Sequence, residues 1–119
     1  MQTAAHTPAP PVERLFSAPK VHSALTTYRK EQVLNLSPVE VIDKLYGVAI
    51  QAIKKDDKGL AYRAMNELIA ALNFEYQEVA LSLYRLYQYA KYCLRQGKHD
   101  DAVEVLEELR SAWKEAFKL

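Results

Sequence analysis

Apolar residues recur along this chain at helical spacing, and nowhere in the alternation of a half-buried strand. From Val39 to Ile53 they fall three and four apart, and the same rhythm returns in three later stretches. The first begins at Ser37-Pro38-Val39-Glu40. Ser37 suits the capping position, Pro38 the first helical position, and Glu40 can reach back as the third residue of a capping box. This helix is predicted to end near Lys55, at the polar break Asp56-Asp57-Lys58-Gly59. A second helix is predicted over Lys58 to Leu72, and a third from Tyr76 to Gln96 after a tight corner at Asn73-Phe74-Glu75. Gly97 fits the left-handed position beyond a helix end. Asp100 and Asp101 then sit in the first turn of a fourth helix running to Phe117, where the helix dipole favours negative charge. Short connections between successive helices imply antiparallel neighbours. The expected fold is all-α, an antiparallel up-down four-helix bundle over residues 23–119.

The first twenty residues differ. Four of the five prolines (Pro8, Pro10, Pro11 and Pro19) stand there among Ala, Thr and Ser. Such a segment has few regular backbone bonds to make and little to bury, so residues 1–22 read as a disordered Pro/Ala-rich tail. Val12, Leu15 and Phe16 are its apolar exceptions, able to dock weakly. A short pre-helix segment leads from the tail into the first helix.

Within the helices the apolar arcs are wide. On the first, Val39, Ile42, Tyr46, Ala49, Ile50 and Ile53 form a core stripe, which Val41, Leu45, Val48 and Ala52 extend. The total is roughly 200°, where an ordinary surface helix needs a stripe somewhat wider than about 100°. The second and fourth helices show similar arcs. Each helix touches two bundle neighbours, which widens its stripe; the alternative is a groove that receives another helix or peptide. On the third helix Val79, Leu83, Leu86, Ala90 and Cys93 form the predicted inward stripe, with Leu94 and Tyr87 on its flank. Tyr84, Tyr89 and Tyr92 point elsewhere, and tyrosine suits half-exposed interface positions.

Composition narrows the chemistry. The 119 residues carry sixteen Lys+Arg and fifteen Asp+Glu, a formal charge of +1, which offers no basic footprint for nucleic acid or a membrane surface. No apolar run approaches the roughly 18–20 residues of a bilayer span, so no membrane insertion is expected. The N-terminus lacks the pattern of a secretory leader. Cys93 is the single cysteine, which excludes an internal disulfide, and its place on the inward stripe suits a small inert hydrophobe. His6, His22 and His99 are scattered, without a second ligand at helical spacing. No Gly-rich phosphate loop exists, and no titratable pair is placed for acid–base work. The chain reads as a non-enzyme with no catalytic residues, no metal and no cofactor.

Three segments resemble one family. Tyr28, Val33, Ser37-Pro38-Val39-Glu40, Leu45-Tyr46-Gly47 and Ala49-Ile50 look like the start of the flagellar secretion chaperones, which escort flagellin. Glu78-Val79-Ala80-Leu81-Ser82-Leu83-Tyr84-Arg85-Leu86-Tyr87-Gln88-Tyr89 is similar to that family's third-helix signature, and Leu106, Leu109-Arg110-Ser111-Ala112-Trp113 to its closing Leu-Arg-x-Ala-Trp. The likeness covers Tyr28 to Phe117. The chain departs from the family at Phe74-Glu75-Tyr76-Gln77, where a Gly-Gly turn is usual, and at Ser82, usually asparagine.

The resemblance implies a helical bundle in the bacterial cytosol that binds the disordered, amphipathic C-terminal segment of flagellin, with an export-gate component as a further candidate partner. Sheltering that segment would block premature polymerisation and keep the chain export-competent, without ATP. It also implies that the segment before the first helix, with Tyr28, Val33 and Leu34-Asn35-Leu36, lies over the empty groove and moves aside for the client. Candidate client-binding residues are Tyr28 and Val33 from the resemblance and Tyr46 from it in part, its angle also suiting the core. Val41, Leu45 and Val48 come from the surplus arc, and Tyr84 and Tyr89 from the third helix. Two other readings stand beside this one. Tyr92 to Ala102 has the look of a tetratricopeptide helix junction, although such repeats need about three copies and one is present. A structural bundle that dimerises through its extra apolar face is the other.

Overall fold

The computed structural model describes Leu15, Phe16 and residues 36–119 of the chain. Four helices account for most of these: α1 (Pro38–Lys54), α2 (Lys58–Ala70), α3 (Gln77–Arg95) and α4 (His99–Phe117). A single 3-10 turn, Phe74–Tyr76, leads into α3. The described residues contain no strand, only one isolated antiparallel bridge between Phe16 and Leu72.

Local chemistry sets each boundary. At the start of α1 the capping box is complete: the Ser37 hydroxyl accepts from the Glu40 N–H at 3.2 Å, and the Ser37 N–H donates to Glu40 Oε1 at 3.0 Å. Those bonds to Ser37 hold the Glu40 carboxyl below the usual carboxylate range. Asp56, at φ 58°, takes the left-handed conformation that breaks the chain between α1 and α2. Asp57 then caps α2 by accepting from the Leu60 N–H at 3.2 Å. Asn73 caps the 3-10 turn in the same way, through Glu75 N–H at 3.1 Å. Gly97 ends α3 at φ 75°, as its position in the sequence predicts.

The helices pack in a ring: α1 most extensively on α2, then on α4, with α3 on α4 and more lightly on α2. Along α1 and α4 the contacts run in opposite order. Val39 meets Trp113, Asp43 meets Arg110, Lys54 meets Glu107, and Asp56 just beyond α1 meets His99. This pair is therefore antiparallel. Ile42, Leu45, Tyr46, Met65, Leu68, Tyr87, Leu94 and Leu106 are among the side chains sealed inside.

At the core's centre the Tyr46 and Tyr87 hydroxyls meet at 2.6 Å, joining α1 to α3. Burial raises both phenols' pKa, so both stay protonated and one hydroxyl donates to the other. Tyr87, placed by spacing on the flank of α3, is thus the middle of its buried face. Ala80, Tyr87 and Leu94, seven residues apart, lie inside with Ala90 and Cys93. Val79 and Leu86, expected inward, are turned out instead. Ala90 and Cys93 of the same predicted stripe are buried, so this face is covered toward the end of α3 and left open over its first half, where Val79 and Leu86 lie.

Two residues of the expected tail also belong to the packed structure. Leu15 and Phe16 are buried; the Leu15 carbonyl accepts from the Asn73 N–H at 2.6 Å, and the Phe16 ring stands edge-on to Trp113 at 5.5 Å. Trp113 in turn packs on Phe117 at 4.7 Å. The remainder of the expected tail lies outside the described residues.

Candidate functional site: surfaces for a partner

No described helix is long and apolar enough to cross a membrane, and no three His, Cys, Asp or Glu side chains among the described residues are grouped as a metal site. What the bundle presents is surface.

The α1–α4 seam positions the first feature. Asp43, on the polar side of α1 by spacing, is buried against α4, where Arg110 Nε and Nη2 donate to its two carboxylate oxygens at 2.9 and 3.3 Å. Lys114 Nζ lies 3.4 Å from the same carboxylate. Burial pushes this carboxyl up, but the hydrogen bonds and charge of Arg110, with Lys114, outweigh that and hold it below the usual range. Gly47 completes the fit. A Cβ there would stand 2.9 Å from Arg110 Nη1, so the guanidinium lies directly against the glycine. One turn on, the Trp113 indole N–H donates to the Val39 carbonyl at 2.8 Å.

Beside this seam a cleft of about 500 Å³ opens over the outward face of α1. Lys44, Gly47, Val48, Gln51 and Lys55 form its bed, Leu60 of α2 one wall and Arg110 of α4 the other. A second surface lies on α3. Val79, Leu86 and Tyr89 are 41%, 39% and 48% exposed and share one side of the helix, with Tyr92 further round. The Tyr89 phenol interacts with the Cys93 thiol and with Asp101 and Glu104 of α4, which raises its pKa and marks this side as the α3–α4 edge. On α4, Val105, Leu109, Ala112 and Ala116 repeat at helical spacing, the first two half-buried and the last two exposed.

The candidate client residues do not form one patch. Val41, Leu45 and Tyr46 are core side chains, 2%, 0% and 2% exposed, and present nothing to a partner in this conformation. The surplus arc of α1 is consumed because α2 and α4 cover it from both sides while Tyr87 reaches it from α3. Val48 is half-buried and lines the α1 cleft. Tyr84 is half-buried, its hydroxyl accepting from Gln88 Nε2 at 2.9 Å, and Tyr89 is exposed at the other edge of α3. Tyr28 and Val33 lie outside the described residues. The spacing argument missed Val79 and Leu86 as surface residues. Their exposure depends on which turns of α3 another element covers, which no local pattern encodes.

Searches against protein-family models, curated proteins and solved structures return no match for this chain.

Proposed function

We propose that this chain is a cytosolic export chaperone of the flagellar secretion type. In this reading it binds the disordered C-terminal segment of flagellin and holds it apart from other copies until export. The observation that carries the reading is the apolar flank of α3: Val79, Leu86 and Tyr89 stay exposed on a bundle whose core is already closed. Exposed apolar side chains grouped on one helix face are what an amphipathic helix needs to dock. Folding of the client on this flank would set ordering entropy against apolar burial, leaving a reversible complex suited to hand-over.

The family-like segments add support of a particular kind. Ser37 and Glu40 cap α1, Tyr46 locks onto Tyr87, Gly47 admits Arg110, and Trp113 ties α4 to Val39. The residues that carry the resemblance therefore do related work in assembling one bundle. Leu15 and Phe16 add that the bundle takes up an apolar segment from outside its four helices.

Calorimetry of the full chain with a flagellin C-terminal peptide from the same organism tests the proposal. A saturable 1:1 complex is expected, weakened at least about tenfold by Leu86→Asp with Tyr89→Asp, while helix content by circular dichroism is unchanged. Absence of binding, or a concentration-independent dimer in sedimentation that ignores the peptide, overturns it.

A further inference from the structure

Helix α4 divides its charges between two sides. Arg110 and Lys114 turn toward α1, where both lie on the Asp43 carboxylate, and Glu107 meets Lys54. The other side carries Asp101, Glu104, Glu108 and Glu115, at successive spacings of three, four and seven residues. All four are exposed, and among the described residues none takes part in an ion pair or a side-chain hydrogen bond. They form a stripe about 21 Å long at the helical rise per residue. This stripe borders the apolar flank of α3, since the Tyr89 phenol lies within electrostatic reach of Asp101 and Glu104. Cations do not balance it. On α3, Glu78 and Arg85 stand seven residues apart on one side and offset each other, while Lys91 is bonded to Asn66 of α2 and Arg95 follows on its side. Lys98 is exposed at the turn before α4. The edge is therefore negative, on a chain whose formal charge is +1.

We propose that the α3–α4 flank receives an amphipathic helix whose edge toward α4 is basic. The partner's apolar side chains would seat on Val79 and Leu86, and its Lys or Arg side chains would face Glu104 and Glu108. Unpaired carboxylates beside an apolar face select a basic-edged helix over a neutral or acidic one. The exposed rings of Tyr89 and Tyr92 favour the same choice, because a cation gains from lying over an aromatic face. The inference rests on the reading of this flank as a docking surface and adds the charge of what docks there; it does not require that the client be flagellin.

The test is a nuclear magnetic resonance titration of the full-length chain with two synthetic helical peptides. Both carry the same Leu/Ala stripe; one bears Lys along one edge and the other Gln at the same positions. Saturable shifts at Val79, Leu86, Tyr89, Glu104 and Glu108 are expected with the Lys peptide. The Gln peptide should bind at least about tenfold more weakly, and Glu104→Lys with Glu108→Lys should lower affinity for the Lys peptide by a similar factor. Both glutamates are exposed, so the variant is expected to keep its fold, and the Gln peptide tests the charge requirement without any substitution. Equal binding of the two peptides at this flank, or indifference to the charge reversal, would overturn the basic edge and leave the docking surface standing. Shifts confined to other helices, or no binding of either peptide, would overturn the proposal, and the flagellin peptide titrated alongside then shows whether the docking surface falls with it.

Discussion

Helices α1 and α3 are of similar length and similar amphipathic pattern, yet they spend their apolar residues differently. Nine of the seventeen residues of α1 are buried, including Asp43, whereas five of the nineteen of α3 are. The difference lies in their neighbours. α1 has broad contact with both α2 and α4, while α3 meets α2 only lightly and leaves Val79, Leu86 and Tyr89 to solvent. The width of an apolar arc thus measures how much a helix can bury. How much it does bury is decided by the helices that reach it.

Three measurements sharpen or break that contrast. The largest effect is expected at Leu45, fully enclosed on α1: Leu45→Ala should cost about 2–5 kcal/mol in urea unfolding, the usual range for emptying a core site. A cost under about 1 kcal/mol would show that the inner face of α1 is not core. Next comes Asp43, which ties α1 to α4 and has no counterpart among the buried residues of α3. Asp43→Asn should cost roughly 1–3 kcal/mol at neutral pH, since it removes charge from a paired, largely buried group. The folded carboxyl lies below its ordinary value, so this contribution is complete above the unfolded pKa and is lost as pH falls through the folded one. The gap between wild type and Asp43→Asn should accordingly narrow below about pH 4. A gap that stays constant down to strong acid would remove the ion pair as its cause. The smallest effect is expected at Leu86: Leu86→Ala should change stability by no more than about 0.5 kcal/mol, in keeping with a surface position. A loss approaching that of Leu45→Ala would mean that α3 turns its Leu86 face inward in solution.

The same contrast explains what could be read from the residues in order. Helix starts and stops were legible because their causes are local: Ser37 with Glu40, Asp57 with Leu60, and Gly97 with the end of α3 each act within four residues. Which side chains of α3 are covered was not, because the contacts that decide it, such as Tyr46 with Tyr87, join residues as far as 41 positions apart. By residue type alone Val79-Leu83-Leu86-Ala90 is the better apolar stripe, and nothing nearby says that Tyr87 has a partner waiting on α1. Asp43 escaped for the same reason, its cation being 67 positions away. Leu15 and Phe16 were recognisable as apolar exceptions, but Asn73 and Trp113, their partners, could not be matched to them from spacing. Of the candidate surface residues, Tyr89 and Val48 were within reach of periodicity, while the cleft around Val48 required three helices to be assembled before its walls existed.

A last consequence concerns Gly47. Exchanging a mid-helix glycine for alanine is an ordinary way to toughen a protein, worth up to about 1 kcal/mol. Here the added methyl would stand 2.9 Å from Arg110 Nη1, so the guanidinium that bonds Asp43 through Nε and Nη2 would have to shift to admit it. The missing carbon is a keyway cut into one rod for a pin carried by another. Any attempt to stiffen α1 at this position acts on its tie to α4 as well.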